Sequence, residues 1–165
     1  MTRHHRIICI ALACVVTFAN FRNVEPNTEL PEIPYPEGYR NWTHVKTYVV
    51  GPKSPAFKAI GGFNHVYANA IAMEGYRTGR FPNGSIIVSD VIEAKVDTMN
   101  TREGARNHID VMMRDTVAFA ATGGWSFETF STDSKTNRTL TPDVRKQCIA
   151  CHAKQTDFVF SDFRK

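Results

Sequence analysis

The residues whose types and spacing could do chemistry form a Cys-x-x-Cys-His motif, Cys148, Cys151 and His152. This pattern is typical of c-type haem attachment. On a helix, residues three apart share a face, so both cysteines can add to the vinyl groups of one porphyrin. The imidazole of His152 can then serve as the proximal ligand of the iron. The motif predicts one covalently attached haem c, whose opposite axial position is decided by the rest of the fold.

The same residues have three alternative interpretations: a redox dithiol, a structural disulfide and part of a zinc site. Zinc takes four ligands, and beyond the N-terminal segment the chain has no further cysteine and no paired histidine spacing. A thioredoxin-like dithiol follows a strand of a βαβ unit, whereas Cys148 comes after a polar stretch at residues 136–139. The sequence therefore favours haem.

Residues 1–19 have the pattern of a secretory signal peptide. Arg3 and Arg6 precede an uncharged apolar run at residues 7–19, which is short for a membrane span. A retained anchor and lipidation at Cys14 are the weaker alternatives. Because bacteria attach c-type haem on the outer side of the energised membrane, the signal and the haem motif support each other. Together they predict a periplasmic protein.

Length and charge predict a single domain that does not bind nucleic acid. The chain has 165 residues and a formal net charge of +4 at pH 7, with its lysines and arginines dispersed. It has no basic run interleaved with aromatic residues, which argues against nucleic acid as a partner. Residues 20–34 contain three prolines and predict an extended lead-in. The folded domain is expected over residues 35–165.

Four or five strands and a few short helices are predicted to position the motif. Asn69 is a predicted N-cap of a helix ending at Gly79, and Thr141 with Pro142 begins a helix at about residues 143–153 that carries the haem motif. The predicted fold class is mainly β (α+β), with an antiparallel, barrel-like sheet and the motif on a C-terminal helix. Strands are predicted at 45–50, 65–69, 86–96, 109–113 and 125–130, and a short helix before residue 61.

The position of the motif bears on the sixth ligand of the iron. Residues after His152 include neither Met nor His. The upstream Met73, Met99, Met112 and Met113 are more simply explained as core or strand residues. We therefore expect five-coordinate iron. Four-helix cytochromes c-prime also carry a C-terminal motif, but the repeated β-branched runs do not fit four long helices.

Seven short segments occur in an order that is more informative than any one of them. They lie at 35–42, 65–69, 79–84, 110–115, 123–127, 148–152 and 156–160. In this order the chain resembles the cytochrome P-460 family, whose fold also includes the cytochromes c-prime-beta. The likeness extends over about residues 35–164, and only the haem motif within it is chemically specific.

The resemblance implies a predominantly β, homodimeric, periplasmic haem protein with His152 as proximal ligand and an open distal side. Cytochromes P-460 oxidise hydroxylamine, with nitric oxide and nitrous oxide chemistry, and carry an additional lysine cross-link to the haem edge. Cytochromes c-prime-beta lack that cross-link, surround the distal face with phenylalanines, and bind nitric oxide or carbon monoxide. Residues away from the haem motif decide between these activities.

The cross-link is one such feature. Many relatives place Lys-Glu in the strand after the Pro-x-Gly turn, where this chain has Ser89-Asp90. Lys95 lies later on the same strand and is the remaining cross-link candidate, although a solvated lysine at a strand end explains it more simply. Lys46 and Lys58 are weaker candidates. The substitution at Ser89 lowers the weight of the enzyme interpretation.

Hydroxylamine oxidation also needs a base near the iron to accept protons. Asp90, Glu93 and Asp143 are the candidate catalytic bases, and Asp143 is more simply explained as a carboxylate in the first turn of a helix, where the helix dipole favours it. Two hypotheses follow. One is a haem oxidoreductase that acts on hydroxylamine or a related nitrogen oxide and passes electrons to a redox partner protein. The other is a protein that binds a diatomic ligand or carries electrons without turnover.

Overall fold

Five strands and three short α-helices make up residues 30–164, the part of the chain that this computed structural model describes. The predicted signal peptide at residues 1–19 lies outside the described residues, as does most of the predicted lead-in. No described helix is long and apolar enough to cross a membrane. The elements are β1 (Thr43–Val50), α1 (Phe57–Ile60), β2 (Gly62–Ala68), α2 (Ala70–Thr78), β3 (Ile86–Val96), β4 (Thr101–Arg114), β5 (Trp125–Ser131) and α3 (Pro142–His152).

The strands form one antiparallel sheet in the order β1-β2-β3-β4-β5. Each strand pairs with its successor in the chain, so β1 and β5 are the two edges. This arrangement confirms the predicted mainly β, α+β fold with an antiparallel sheet. It also confirms α2, because the Asn69 side chain accepts a hydrogen bond from the backbone N–H of Ala72 at 2.8 Å, and Gly79 ends the helix at a φ of 79°.

The hairpin formed by β3 and β4 is longer than the apolar pattern of its sequence indicates. β4 begins at Thr101, whereas the sequence predicts its strand only from residue 109. Its first half is polar and largely exposed, so apolar periodicity gives no signal there. Asp97 closes the turn before it, since its carboxylate accepts hydrogen bonds from the backbone N–H groups of Met99 and Asn100. The hairpin therefore extends beyond the core.

Alternating side chains give the sheet two buried faces, because successive residues of a strand point to opposite sides. One face, here called the helical face, is packed against α2 and residues of α3 and includes Val66, Ala68, Ile87, Met112, Trp125 and Phe127. The other, here called the lead-in face, includes Val88, Ile109, Val111 and Phe130, covered by Ile33 and Tyr39. Ile33, a residue of the predicted lead-in, is only 1% exposed, so it is packed against this face of the sheet.

Candidate functional site

Helix α3 brings Cys148, Cys151 and His152 to the helical face of the sheet. Pro142 occupies its first turn, and the Thr141 side chain accepts a hydrogen bond from the backbone N–H of Val144. Both features favour helix initiation. The helix ends at His152. The three motif residues therefore lie in its last two turns, as the sequence predicts.

A buried carboxylate ties α3 to the edge strand β5. Glu128 is 2% exposed and accepts hydrogen bonds from Arg145 of α3 at 3.2 Å and from Arg138 at 3.0 Å. Arg145 also donates to the backbone oxygen of Phe127 at 3.0 Å. Charged hydrogen bonds of this kind are stronger than neutral ones. They fix the helix relative to the sheet and so fix where the motif lies.

The His152 imidazole is oriented for metal binding through Nε2. Nδ1 lies 2.8 Å from the backbone oxygen of Phe158, which can only accept, so Nδ1 carries the proton and donates. This tautomer leaves the lone pair on Nε2. Burial lowers the pKa of His152, which favours the neutral, ligating form. The ring lies between those of Phe127 and Phe160, with centroids 4.6 and 4.9 Å away.

Both cysteines of the motif are free thiols. Cys148 is half-buried against the helical face, and burial raises the pKa of its thiol. Cys151 is exposed. Their separation of one helical turn places them on one side of α3. Two thiols and an imidazole on one surface match the attachment set of a c-type haem.

A cavity of about 560 Å³ opens beside Cys151 and His152. Its walls come from the helical face of the sheet, from α1 and from residues 159–161. A second groove of about 510 Å³ runs along α3. It shares Phe127, Cys151 and His152 with the first cavity and also includes Cys148. Most of the lining is apolar, including Ile60, Val66, Ile87, Met112, Phe127 and Val159.

These residues fit a c-type haem. The volumes lie in the range of about 300–1,000 Å³ that is usual for cofactor sites, and such sites are predominantly apolar with a few placed polar groups. The lone pair on Nε2 of His152 and the thiols of Cys148 and Cys151 supply the donor set. The geometry supports the predicted roles of these three residues, which stay predictions.

A row of mostly polar residues crosses the sheet on the cavity side. Lys46, Val66, Ser89, Asp110 and Thr129 are successive neighbours in the register of the five strands. Lys46, Ser89 and Asp110 line the cavity, together with the tyrosine two residues after Lys46. Partial burial raises the pKa of that tyrosine, Tyr48. The cavity is therefore mostly apolar, and three of its polar side chains lie along this one row.

Asp110 is the carboxylate that the structure places in the cavity. Its Oδ1 accepts a hydrogen bond from the Thr129 hydroxyl at 2.6 Å, and its Oδ2 lies 3.3 Å from Nε2 of His108. Sequence reasoning missed Asp110 and treated residues 109–113 only as a strand. The sequence does contain a signal for it. Asp110 is a charged residue within an otherwise apolar run, and it lies two residues before Met112, so the two side chains point to the same side of the strand.

Asp90, a predicted catalytic base, lies on the lead-in face instead. Its carboxylate is fully buried and accepts hydrogen bonds from Tyr39 at 2.7 Å, Arg40 at 2.6 Å and Arg106 at 2.7 Å. Burial raises the pKa of Asp90, but the hydrogen bonds from Arg106, Tyr39 and Arg40 outweigh it and hold the pKa below its usual value. Asp90 is therefore a buried structural anion away from the cavity.

The remaining predicted site residues are exposed. Glu93 and Lys95 lie near the end of β3 with side chains 50% and 59% exposed, and Lys95 Nζ is 3.9 Å from the Glu93 carboxylate. Asp143 is 87% exposed in the first turn of α3, where it pairs with Lys146 at 3.3 Å. The structure places none of these among the residues that line the described cavity beside His152. Lys46, one of the two weaker cross-link candidates, does line this cavity.

Comparison with known families gives one match. The family model described as Cytochrome P460 matches residues 36–161, which is most of the chain. The chain therefore belongs to the cytochrome P460 family, a family of haem-binding cytochromes. No curated protein matches the chain significantly.

Proposed function

We propose that this member of the cytochrome P460 family is an exported, periplasmic mono-haem c-type cytochrome that oxidises hydroxylamine or a related small nitrogen oxide at a five-coordinate haem. The observation that carries the proposal is that the polar side chains Lys46, Ser89 and Asp110, from one row of the sheet, lie inside the mostly apolar cavity beside His152. Polar groups in apolar surroundings cost free energy unless they are compensated. Their presence there supports a role toward a bound ligand.

The motif residues would hold the haem. The Cys148 and Cys151 thiols would each add across a vinyl group, with the sulfur bonding to one carbon and the proton going to the other. Nε2 of His152 would bind the iron, while the Phe158 carbonyl holds Nδ1–H in the ligating tautomer. When bound, the haem would supply an open coordination position and an acceptor for the electrons of the substrate.

Asp110 is the proposed proton acceptor. Oxidation of hydroxylamine releases protons together with electrons, so the site needs a base within reach of the ligand. The Thr129 hydroxyl and His108 hold the two carboxylate oxygens of Asp110, which fixes its orientation. His108 is 18% exposed, so its imidazole offers a route for the proton toward solvent. The electrons pass to a redox partner protein.

Lys46 is the residue we propose for a lysine cross-link, if one forms. It lines the cavity and lies in the same sheet row as Ser89, two strands away. Lys95, by contrast, extends from the exposed end of β3 and pairs with Glu93. A covalent bond needs the amine at the porphyrin edge, and Lys46 meets that requirement better.

The second candidate function is that of a cytochrome c-prime-beta, which binds nitric oxide or carbon monoxide, or transfers electrons, without turnover. It is favoured by Ser89 at the position where many relatives have lysine. In either case we expect a homodimer. The edge strand β1, where Tyr48 is 39% and Val49 52% exposed, offers an unpaired strand edge and two exposed large side chains to a second copy.

The deciding experiment mixes the purified mature holoprotein with hydroxylamine and an artificial electron acceptor. We expect turnover that is lost in Asp110→Asn and kept in the control Asp143→Asn, which removes an exposed carboxylate. Mass spectrometry of the haem peptide from wild type and Lys46→Met tests the cross-link. No turnover, two thioether bonds only and tight nitric oxide binding would assign the protein to the second function.

A further inference from the structure

The turn that follows α3 has an unusual backbone. Asp157 and Phe158 have φ values of 47° and 67°, and both are non-glycine residues in the left-handed region. Such residues are uncommon, and two in succession cost free energy that the surrounding structure must offset. The contacts of these two residues show how this turn is held.

The Asp157 carboxylate ties the turn to the body of the sheet. Its Oδ2 accepts a hydrogen bond from the backbone N–H of Phe81 at 2.7 Å, and its Oδ1 accepts one from Arg114 Nη1 at 2.7 Å. The indole N–H of Trp125 lies 3.5 Å from the same Oδ1. The Asp157 side chain is 16% exposed and that of Arg114 is 18% exposed. Three elements distant in sequence therefore converge on this one side chain.

A second contact fixes Phe158 itself. Its ring lies over Gly123, so close that a Cβ added to Gly123 would be 2.6 Å from Cζ of the ring. The backbone oxygen of the same residue accepts the hydrogen bond from Nδ1 of His152 at 2.8 Å. The position of this carbonyl therefore depends on the Asp157 contacts on one side and on the packed ring on the other.

We propose that Asp157 is a positioning residue that holds the Phe158 carbonyl against Nδ1 of His152 and thereby sets how strongly His152 binds the haem iron. An acceptor on the non-ligating nitrogen fixes the tautomer and raises the basicity of the ligating one. The inference rests on the proposed function only in that His152 is the proximal ligand. It applies equally to an enzyme and to a gas-binding protein.

The test compares the ferrous holoproteins of wild type, Asp157→Ala and Asp157→Gly. Glycine tolerates positive φ whereas alanine does not, so Asp157→Gly removes the anchor without adding backbone strain. We expect a lower iron–histidine stretching frequency by resonance Raman in both variants. Loss of an outer partner typically costs about 10- to 100-fold in metal affinity, so nitric oxide should displace His152 at least about tenfold more readily.

Asp162→Asn is the matched control, because it removes an exposed carboxylate from the same C-terminal segment. It should retain the wild-type iron–histidine band. Arg114→Gln, which removes one donor and keeps the carboxylate, should shift the band in the same direction by less and serves where an Asp157 variant does not fold. A wild-type band and wild-type nitric oxide coordination in Asp157→Gly would overturn the inference.

These outcomes separate the inference from the proposed function. A wild-type protein that shows an iron–histidine band but no hydroxylamine turnover contradicts the enzyme and leaves the role of Asp157 measurable. Turnover in wild type with an unchanged band in both Asp157 variants supports the enzyme and refutes the positioning role.

Discussion

Two aspartates on neighbouring strands show how differently the two faces of this sheet use a carboxylate. Asp90 of β3, on the lead-in face, is fully buried and accepts hydrogen bonds from two arginines and a tyrosine. Asp110 of β4, on the helical face, is partly exposed to a cavity and contacts only a threonine hydroxyl and a histidine. One carboxylate is committed to internal partners and the other is free to meet a ligand.

The difference follows from what covers each face. The lead-in face is closed by Ile33 and Tyr39, so a charge there must be paired internally. The helical face is only partly covered by α2 and α3, and the uncovered part is the cavity. The same strand alternation therefore produces a structural carboxylate on one side and a candidate functional one on the other. The predictions below test this contrast.

The largest expected effect is on stability, in Asp90→Ala. Removing one member of a buried ion pair typically costs about 3–5 kcal/mol, and Arg106 would keep only its pairing with the exposed Asp133. We expect that loss in the free energy of unfolding of the holoprotein, measured by urea denaturation. Asp110→Ala should cost less than about 1 kcal/mol, because the Asp110 side chain is itself 37% exposed and its shortest hydrogen bond comes from the neutral Thr129 hydroxyl. Equal losses in the two variants would remove the distinction between the faces.

The next effect is on turnover, in Asp110→Asn. General acid–base groups contribute about 10²- to 10⁴-fold to rates, so we expect kcat for hydroxylamine to fall at least about 100-fold with the haem spectrum unchanged. Glu93→Gln, an exposed carboxylate on β3, should retain the wild-type rate. A wild-type rate in Asp110→Asn would refute Asp110 as the proton acceptor and leave Lys46 and Tyr48 as the other candidates in the cavity.

The pH dependence of stability should differ between the faces as well. The pKa of Asp90 is held below its ordinary value of 3.8 in the folded protein. The stability that its carboxylate contributes is therefore present above that value and is lost as pH falls through the folded-state pKa. The difference in unfolding free energy between wild type and Asp90→Asn should be constant near neutral pH and shrink below about pH 4. Parallel acid denaturation curves would contradict this.

The smallest effects are expected at the exposed sequence candidates. Lys95→Met and Asp143→Asn remove side chains that are more than half exposed, and such surface changes usually stay within about 0.5 kcal/mol. Both variants should keep the wild-type optical spectrum and haem peptide mass. A changed haem peptide in Lys95→Met would show that this lysine reaches the porphyrin and would refute the preference for Lys46.

Much of the architecture could be predicted from sequence because its signals are local. Asn69 and Gly79 mark the ends of α2, Thr141 and Pro142 begin α3, and turn residues bound most of the strands. The first half of β4 could not be found, since a polar hairpin that leaves the core has no apolar period. The sequence places Ile33 in the extended lead-in and gives no sign of its burial, because that burial depends on strands that lie far along the chain.

The sequence by itself determined the Cys148, Cys151 and His152 motif, the helix that carries it and the parity of side chains along each strand. This alternation predicts that the side chains of Ser89 and Asp90 point to opposite faces of the sheet. It does not predict which face is covered by other parts of the chain. Only the tertiary structure decided that Asp90 is enclosed among arginines, that Lys46 and Asp110 share a cavity, and that Phe158 meets His152. The first two arrangements join residues far apart in sequence and depend on how the helices and the lead-in pack on the two faces. Phe158 and His152 are only six residues apart, but their contact depends on a turn that Phe81 and Arg114 hold from elsewhere in the chain.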